Sequence, residues 1–234
     1  MFLSGRDIKY AIDRKELIVD PRPETFGAGY DETSIDVHLG PIEKAELWDI
    51  DGYVTGNRAR GLSRPELHLG NEFDFSATSG HLIPVPNEDR QNSSQLVFRR
   101  GHHVIVRQFG FLLWTTAERL GTPLVNPKYI CFVDAKSTRA RTGIMVHFTA
   151  PTIHAGWNGN VALEITNLGP FDLVLCPNDA IAQLTVAHIT SSPDLSLKVG
   201  KSATQGQTGS AGAMTAPPKT EPRSSGRKGK QYAE

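Results

Sequence analysis

Only two cysteines, Cys131 and Cys176, occur in 234 residues, and they lack the CxxC spacing of a metal or redox pair. Each sits in an apolar run, YICFV and LVLC, so two buried free thiols in a reducing compartment are expected. Net charge is missing as well. The 25 Lys and Arg balance 25 Asp and Glu, which argues against a chain that coats nucleic acid or an anionic membrane. No window approaches the roughly 20 apolar residues of a membrane span, and MFLSGRDIKYAID has no basic region followed by an apolar stretch. A soluble cytoplasmic protein without a nucleic-acid or membrane partner is therefore expected. Several catalytic signatures are also absent: GxxxxGK[ST], GxSxG, HExxH and the HxE…PCxxC of zinc-dependent nucleobase deaminases.

Eight His residues are present, and His102, His103, His147 and His154 form the obvious grouping. Adjacent His residues on a strand point to opposite faces, and no acid or Cys stands at ligand spacing. Structural or solvent roles are expected over a protein-held metal, zinc included.

What is present reads mainly as β-structure. Ser4 precedes GRDIKYAIDRKEL, in which Ile8, Ala11, Ile12 and Leu17 fall at approximate helical spacing, so a capped helix opens the chain. After it the period changes to two. SIDVHLG, HVIVRQF, FLLWTT, YICFVD, IMVHFTA, NVALEIT, DLVLC and AIAQLTV are strand candidates separated by Gly, Pro, Asn and Asp. Many short strands behind one helix point to a β-barrel or jelly-roll-like fold occupying residues 1–199. Within it, 51–95 is a polar, poorly periodic excursion with room for one hairpin. Residues 200–234 hold six bases against two acids, leaving 19 bases against 23 acids elsewhere, and are almost without aliphatic side chains. They read as a flexible basic tail on a mildly acidic body.

Two stretches carry candidate chemistry. In DAKSTRARTGIMVH, hydroxyls and cations gather in one turn between strands, which suits either an anion cradle or a solvated basic turn. In AGWNGNVALEITNLGP, Val161, Leu163 and Ile165 alternate with Ala162, Glu164 and Thr166, leaving Glu164 as either a surface acid or a pocket carboxylate.

Together, KSTRARTGIMVHFTAPTIHAGWNGNVALEITNLGPFDLVLCPNDAIAQL closely resembles the dCTP deaminases of the trimeric dUTPase-like superfamily, as do GRDIKYAI and SIDVHLG near the start. The GW followed by LE is the deaminase form rather than the dUTPase one. The resemblance implies a homotrimer with shared active sites, deaminating dCTP to dUTP and ammonia, with Mg2+ carried on the triphosphate and no zinc. It implies Glu164 as the catalytic general base and acid, with burial between Leu163 and Ile165 poising it. Ser137 and Arg141 match residues that hold water and nucleotide near that glutamate, and Thr138 a phosphate-contacting hydroxyl. Lys136 stands where the family has Arg, so it keeps the charge without the planar two-pronged grip. Ala150 would offer backbone groups to the base, Trp157 would shape the pocket wall or stack on the ligand, and Gln183 of AIAQL joins the substrate-binding set.

One departure stands out. His154 replaces the Asp of IDPGW that faces the deoxyribose, which can alter sugar selection, change the accepted nucleotide, or mark a protein that binds without turnover. ATQGQTG in the tail is similar to the family's KYxGQxG, which folds over the triphosphate; Gln207 is retained, and 203–209 is either a lid or an accidental match. A bifunctional form giving dUMP and pyrophosphate, and a non-catalytic nucleotide-binding relative, are the alternatives.

Overall fold

The computed structural model describes residues 1–27, 29–57, 64–70, 73–92, 94–191, 193 and 205–211. The expected N-terminal helix is α1 (Gly5–Asp13), capped by Ser4, whose hydroxyl accepts from the Asp7 amide at 3.3 Å. It buries Ile8, Ala11 and Ile12. The helix stops earlier than its apolar spacing suggests: Lys15 turns left-handed at φ 59°, and Leu17 is buried beyond the turn rather than on the helix.

Strands follow in the order β1 (Ile18–Asp20), β2 (Ile35–His38) and β3 (Ala45–Trp48). The excursion then forms α2 (Ile50–Asn57) and α3 (Phe75–Thr78) before β4 (Leu82–Pro84). The expected hairpin there is a correction: among the described residues β4 pairs with β3, Leu47 opposite Ile83, across the connection that carries α2 and α3 instead of a tight turn. Next come β5 (Val97–Arg100), β6 (His103–Val106), β7 (Phe111–Gly121) and β8 (Tyr129–Ala135), then α4 (Ser137–Ala140). The last are β9 (Ile144–Met145), β10 (Thr152–Ile153), β11 (Asn158–Asn167), β12 (Leu173–Leu175) and β13 (Ala180–His188).

These strands make three sheets around one core. The largest runs β4-β3-β7-β11-β9 with β1 also on β7; the others run β10-β8-β13-β2 and β12-β6-β5. The fold is mainly β, as the alternating pattern predicts. No helix among the described residues is long and apolar enough to cross a membrane.

The long β7–β11 ladder sets up everything near Glu164. Leu163 pairs with Trp114 and Ile165 with Leu112, and all four are completely buried on the core side. Period-two alternation sends the intervening pair, Glu164 and Leu113, to the opposite face. A register shift between Asn160 and Ala162 breaks the alternation expected to run from Val161 to Ile165.

Cys131 is fully buried, and burial pushes its thiol up to about 12. Cys176 is only half-buried, a correction to the paired expectation; both thiols are free.

A buried polar link ties two sheets together. Glu118 on β7 accepts from the His38 backbone amide at 3.0 Å and meets His38 Nδ1 at 2.6 Å, with both side chains sealed from solvent. Phe26 stacks on the His38 ring at 4.1 Å. Burial raises the Glu118 carboxyl above the usual glutamate range, outweighing the opposing hydrogen bonds from His38. The folded state therefore holds that proton more tightly than the unfolded chain. Stability linked to Glu118 is present below the ordinary glutamate value and falls as pH rises through the elevated folded one. Glu118→Gln should flatten this decline, so that its stability relative to wild type improves with rising pH in denaturant titrations. A constant difference across that window would contradict the assignment.

Candidate active site

On the face of the largest sheet that carries Glu164 lies a cleft of about 440 Å³. β11 contributes Glu164 and Val161, and β7 contributes Phe111 and Leu113. Segment 147–157 supplies another wall through His147, Ala150, His154 and Trp157. Glu164 is half-buried, and its Oε2 accepts from the Phe148 amide at 3.3 Å. Leu163 and Ile165 belong to the buried core cluster; Leu163 also borders the cleft, while Ile165 does not. Glu164 Oε1 has no hydrogen bond among the described residues, so one oxygen is anchored while the other stays available for proton exchange.

The turn before β11 is held by backbone contacts. Thr122 donates its amide to the Trp157 carbonyl at 2.9 Å, and its hydroxyl accepts from the Gly156 amide at 2.7 Å. A Cβ at Gly121 (φ 132°) would lie 2.1 Å from the Trp157 carbonyl oxygen, so that position needs glycine twice over. Trp157 both lines the cleft and packs against Gly159. His154 is exposed at the cleft wall.

The tail segment 205–211 docks beside this turn. Gly206 donates to the Asn158 carbonyl at 2.8 Å, the Asn160 amide donates to Gln207 O at 2.9 Å, and Gln207 Nε2 reaches Asn160 O at 2.7 Å. Gln207 is thereby buried against the cleft. Residues 203 and 204 of the candidate lid lie outside the described residues.

Glu164, Ala150, His154, Trp157 and Gln207 thus share one cleft, while the basic turn does not join them within this chain. Lys136 and Thr138 border a separate hollow with Leu173 and Leu175. Ser137, Thr138 and Arg141 are exposed around α4, and Lys136 is ion-paired to Asp36 at 2.5 Å. Gln183 lies away from Glu164, its amide 3.4 Å from Asp31.

Sequence reasoning missed the aromatic wall from the excursion. Trp48 at the end of β3 and Phe75 on α3 meet edge-to-face at 6.3 Å and both line the cleft. The Asp74 cap, accepting from Ser76 at 2.9 Å, was a readable helix start, but no periodicity linked so short a helix to a distant site. His147, considered only as a metal ligand, instead lines the cleft with Nε2 3.1 Å from Asp134.

A family model for dCTP deaminase-like proteins matches residues 65–189. A dCTP deaminase of Buchnera aphidicola subsp. Acyrthosiphon pisum is 30% identical over 196 residues, covering 83% of this chain and 87% of the relative. A dUMP-forming dCTP deaminase of Halobacterium salinarum is 32% identical over 132 residues, 55% of this chain and 66% of its own. A solved 2'-deoxycytidine 5'-triphosphate deaminase from Agrobacterium tumefaciens aligns with 79% of this chain at 14% identity and a TM-score of 0.47; the alignment spans about half of that longer chain, 47%.

Tail docking depends on Gly159, where an added Cβ would stand 3.0 Å from Gln207 N and from Trp157 Cζ2. Gly159→Val should release the segment and raise hydrogen exchange at the Gly206 amide roughly ten- to a hundredfold, with Gly159→Ala giving a smaller rise. Unchanged exchange in the Val variant would contradict this docking.

Proposed function

Because the chain belongs to the dCTP deaminase-like family, we propose that it hydrolytically deaminates dCTP to dUTP and ammonia. The observation that carries this reading is Glu164 itself, a half-buried carboxylate held by the Phe148 amide in a cleft large enough for a nucleotide's base and sugar. In this reading Glu164 takes a proton from water as its oxygen bonds to C4 of cytosine. It returns a proton to the amine as the tetrahedral intermediate collapses and the C4–N bond breaks. Ala150 supplies backbone groups to the base and Trp157 a wall beside it. Mg2+ travels with the triphosphate.

The separation of the basic turn from the Glu164 cleft supports shared sites. Ser137, Thr138, Arg141 and Lys136 can serve the same nucleotide only if a second copy presents them, and the homotrimer implied by the family resemblance would supply one. In that assembly the Lys136–Asp36 pair loosens or is shared with phosphate. The dUMP-forming name of the Halobacterium relative favours one second reading, in which the same site carries dCTP through to dUMP and pyrophosphate.

Incubation with dCTP and Mg2+ followed by chromatography tests the proposal: dUTP supports it, dUMP with pyrophosphate supports the second reading, and unchanged dCTP overturns both. Glu164→Gln should lower kcat by roughly 10²–10⁴-fold while dCTP affinity stays within a few-fold, and full activity would remove Glu164 from the chemistry. His154→Asp measures the cost of the departure at the sugar side; a large rise in kcat/KM would show that the histidine limits this site.

A further inference from the structure

The excursion closes the Glu164 cleft with two rings that have no part in the chemistry at the carboxylate. Trp48 ends β3, Phe75 opens α3, and both line the cleft. The sheet order fixes where they stand. β3 and β9 lie on opposite sides of the β7–β11 pair, so Trp48 flanks the floor on the β3 side, while segment 147–157 begins beyond β9 on the other. Two strand spacings, about 10 Å, separate β11 from β3. A nucleobase whose reacting carbon is at Glu164 therefore lies between the two walls.

Trp48 also has open space on its other flank. It borders a second hollow of about 160 Å³ together with Ile50, Tyr53, Leu67 and His81, and it is the one described residue that lines both hollows. Its surroundings are loosely anchored, since neither α2 nor α3 buries a side chain. The floor is the opposite case, with Leu113 and Leu163 buried. A ring that backs onto an unfilled hollow, carried by elements with few buried contacts, shifts at low free energy; a close-packed floor does not.

The chemistry of cytosine decides which edge meets this wall. With C4 at Glu164 and the hydrogen-bonding edge at the Ala150 backbone, the edge left over is C5–C6, which carries only C–H groups. That edge is turned to the β3 side, where aromatic rings suit it. We propose that Trp48 and Phe75 are specificity-determining residues that read the C5 position, and that Trp48, by moving toward the hollow behind it, admits cytosine nucleotides alkylated at C5. This rests on the reading of the cleft as a deoxycytidine nucleotide site. A C5 methyl leaves the attacked carbon and the departing amine in place. Water adds at C4, the C4–N bond breaks, and 5-methyl-dCTP yields dTTP and ammonia.

The test assays the full chain with dCTP, 5-methyl-dCTP and 5-iodo-dCTP in the presence of Mg2+. Wild type should use 5-methyl-dCTP with kcat/KM within about tenfold of that for dCTP, whereas an unyielding wall would reject the added methyl by up to about 200-fold. Leu67→Phe, which fills the hollow without touching the cleft, should lower the 5-methyl-dCTP to dCTP ratio of kcat/KM about tenfold and leave dCTP turnover as in wild type. Trp48→Ala should raise the 5-iodo-dCTP to dCTP ratio about tenfold, whatever it does to dCTP alone. A wild-type preference for dCTP beyond about tenfold overturns the yielding wall, and this comparison needs no substitution. A ratio left unmoved by either variant removes Trp48 from the reading of C5. Wild-type protein that deaminates neither dCTP nor its 5-methyl form overturns the proposed function itself, a result distinct from normal dCTP turnover with the methylated nucleotide refused.

Discussion

The register between β7 and β11 is the constraint on which the rest of the site depends. With Leu163 against Trp114 and Ile165 against Leu112, two apolar pairs are locked into the core, and a one-residue slip of β11 would turn Leu163 and Ile165 out of it. The same alternation fixes Glu164 over Leu113 on the cleft face. The carboxylate's position is therefore enforced by hydrophobic burial behind it, which is why a polar group can be held steadily on an open face.

Around that fixed point the walls are built from less regular pieces. The turn at 154–157 is pinned by Thr122 and by the close approach at Gly121; the tail is pinned by three hydrogen bonds to the start of β11; the excursion leans Trp48 and Phe75 over one side. Elements that close a site with few buried contacts open at low free energy. A cleft with a rigid floor and a detachable rim suits a ligand that must enter and leave as a charged triphosphate. The basic turn, by contrast, borders a different hollow, which is why the proposed site needs a second copy.

The parts of this arrangement that were legible in the sequence are those written in short periods. Alternation in NVALEIT and FLLWTT foretold the central ladder, and the Ser4 cap foretold α1. What was misjudged involved longer-range or local backbone effects: the left-handed Lys15 that ends α1 early, the register shift between Asn160 and Ala162 that interrupts the alternation, and the pairing of β3 with β4 across the excursion. Of the two residues that flank Glu164, Leu163 borders the cleft and Ile165 lies in the core alone. The grouping of Glu164, Ala150, His154, Trp157 and Gln207 followed from the family resemblance, since their spacing alone does not bring the tail to β11.

The central claim is that catalytic carboxylate and phosphate-binding turn meet only between copies. Mixing Glu164→Gln protein with Arg141→Ala protein, each inactive alone, tests it after subunit exchange. The account predicts that dCTP turnover reappears at up to about a quarter of the wild-type level, the share of sites that pair an intact Glu164 with an intact Arg141. Activity that stays at background in the exchanged mixture would place both residues in one protomer's site and contradict the account.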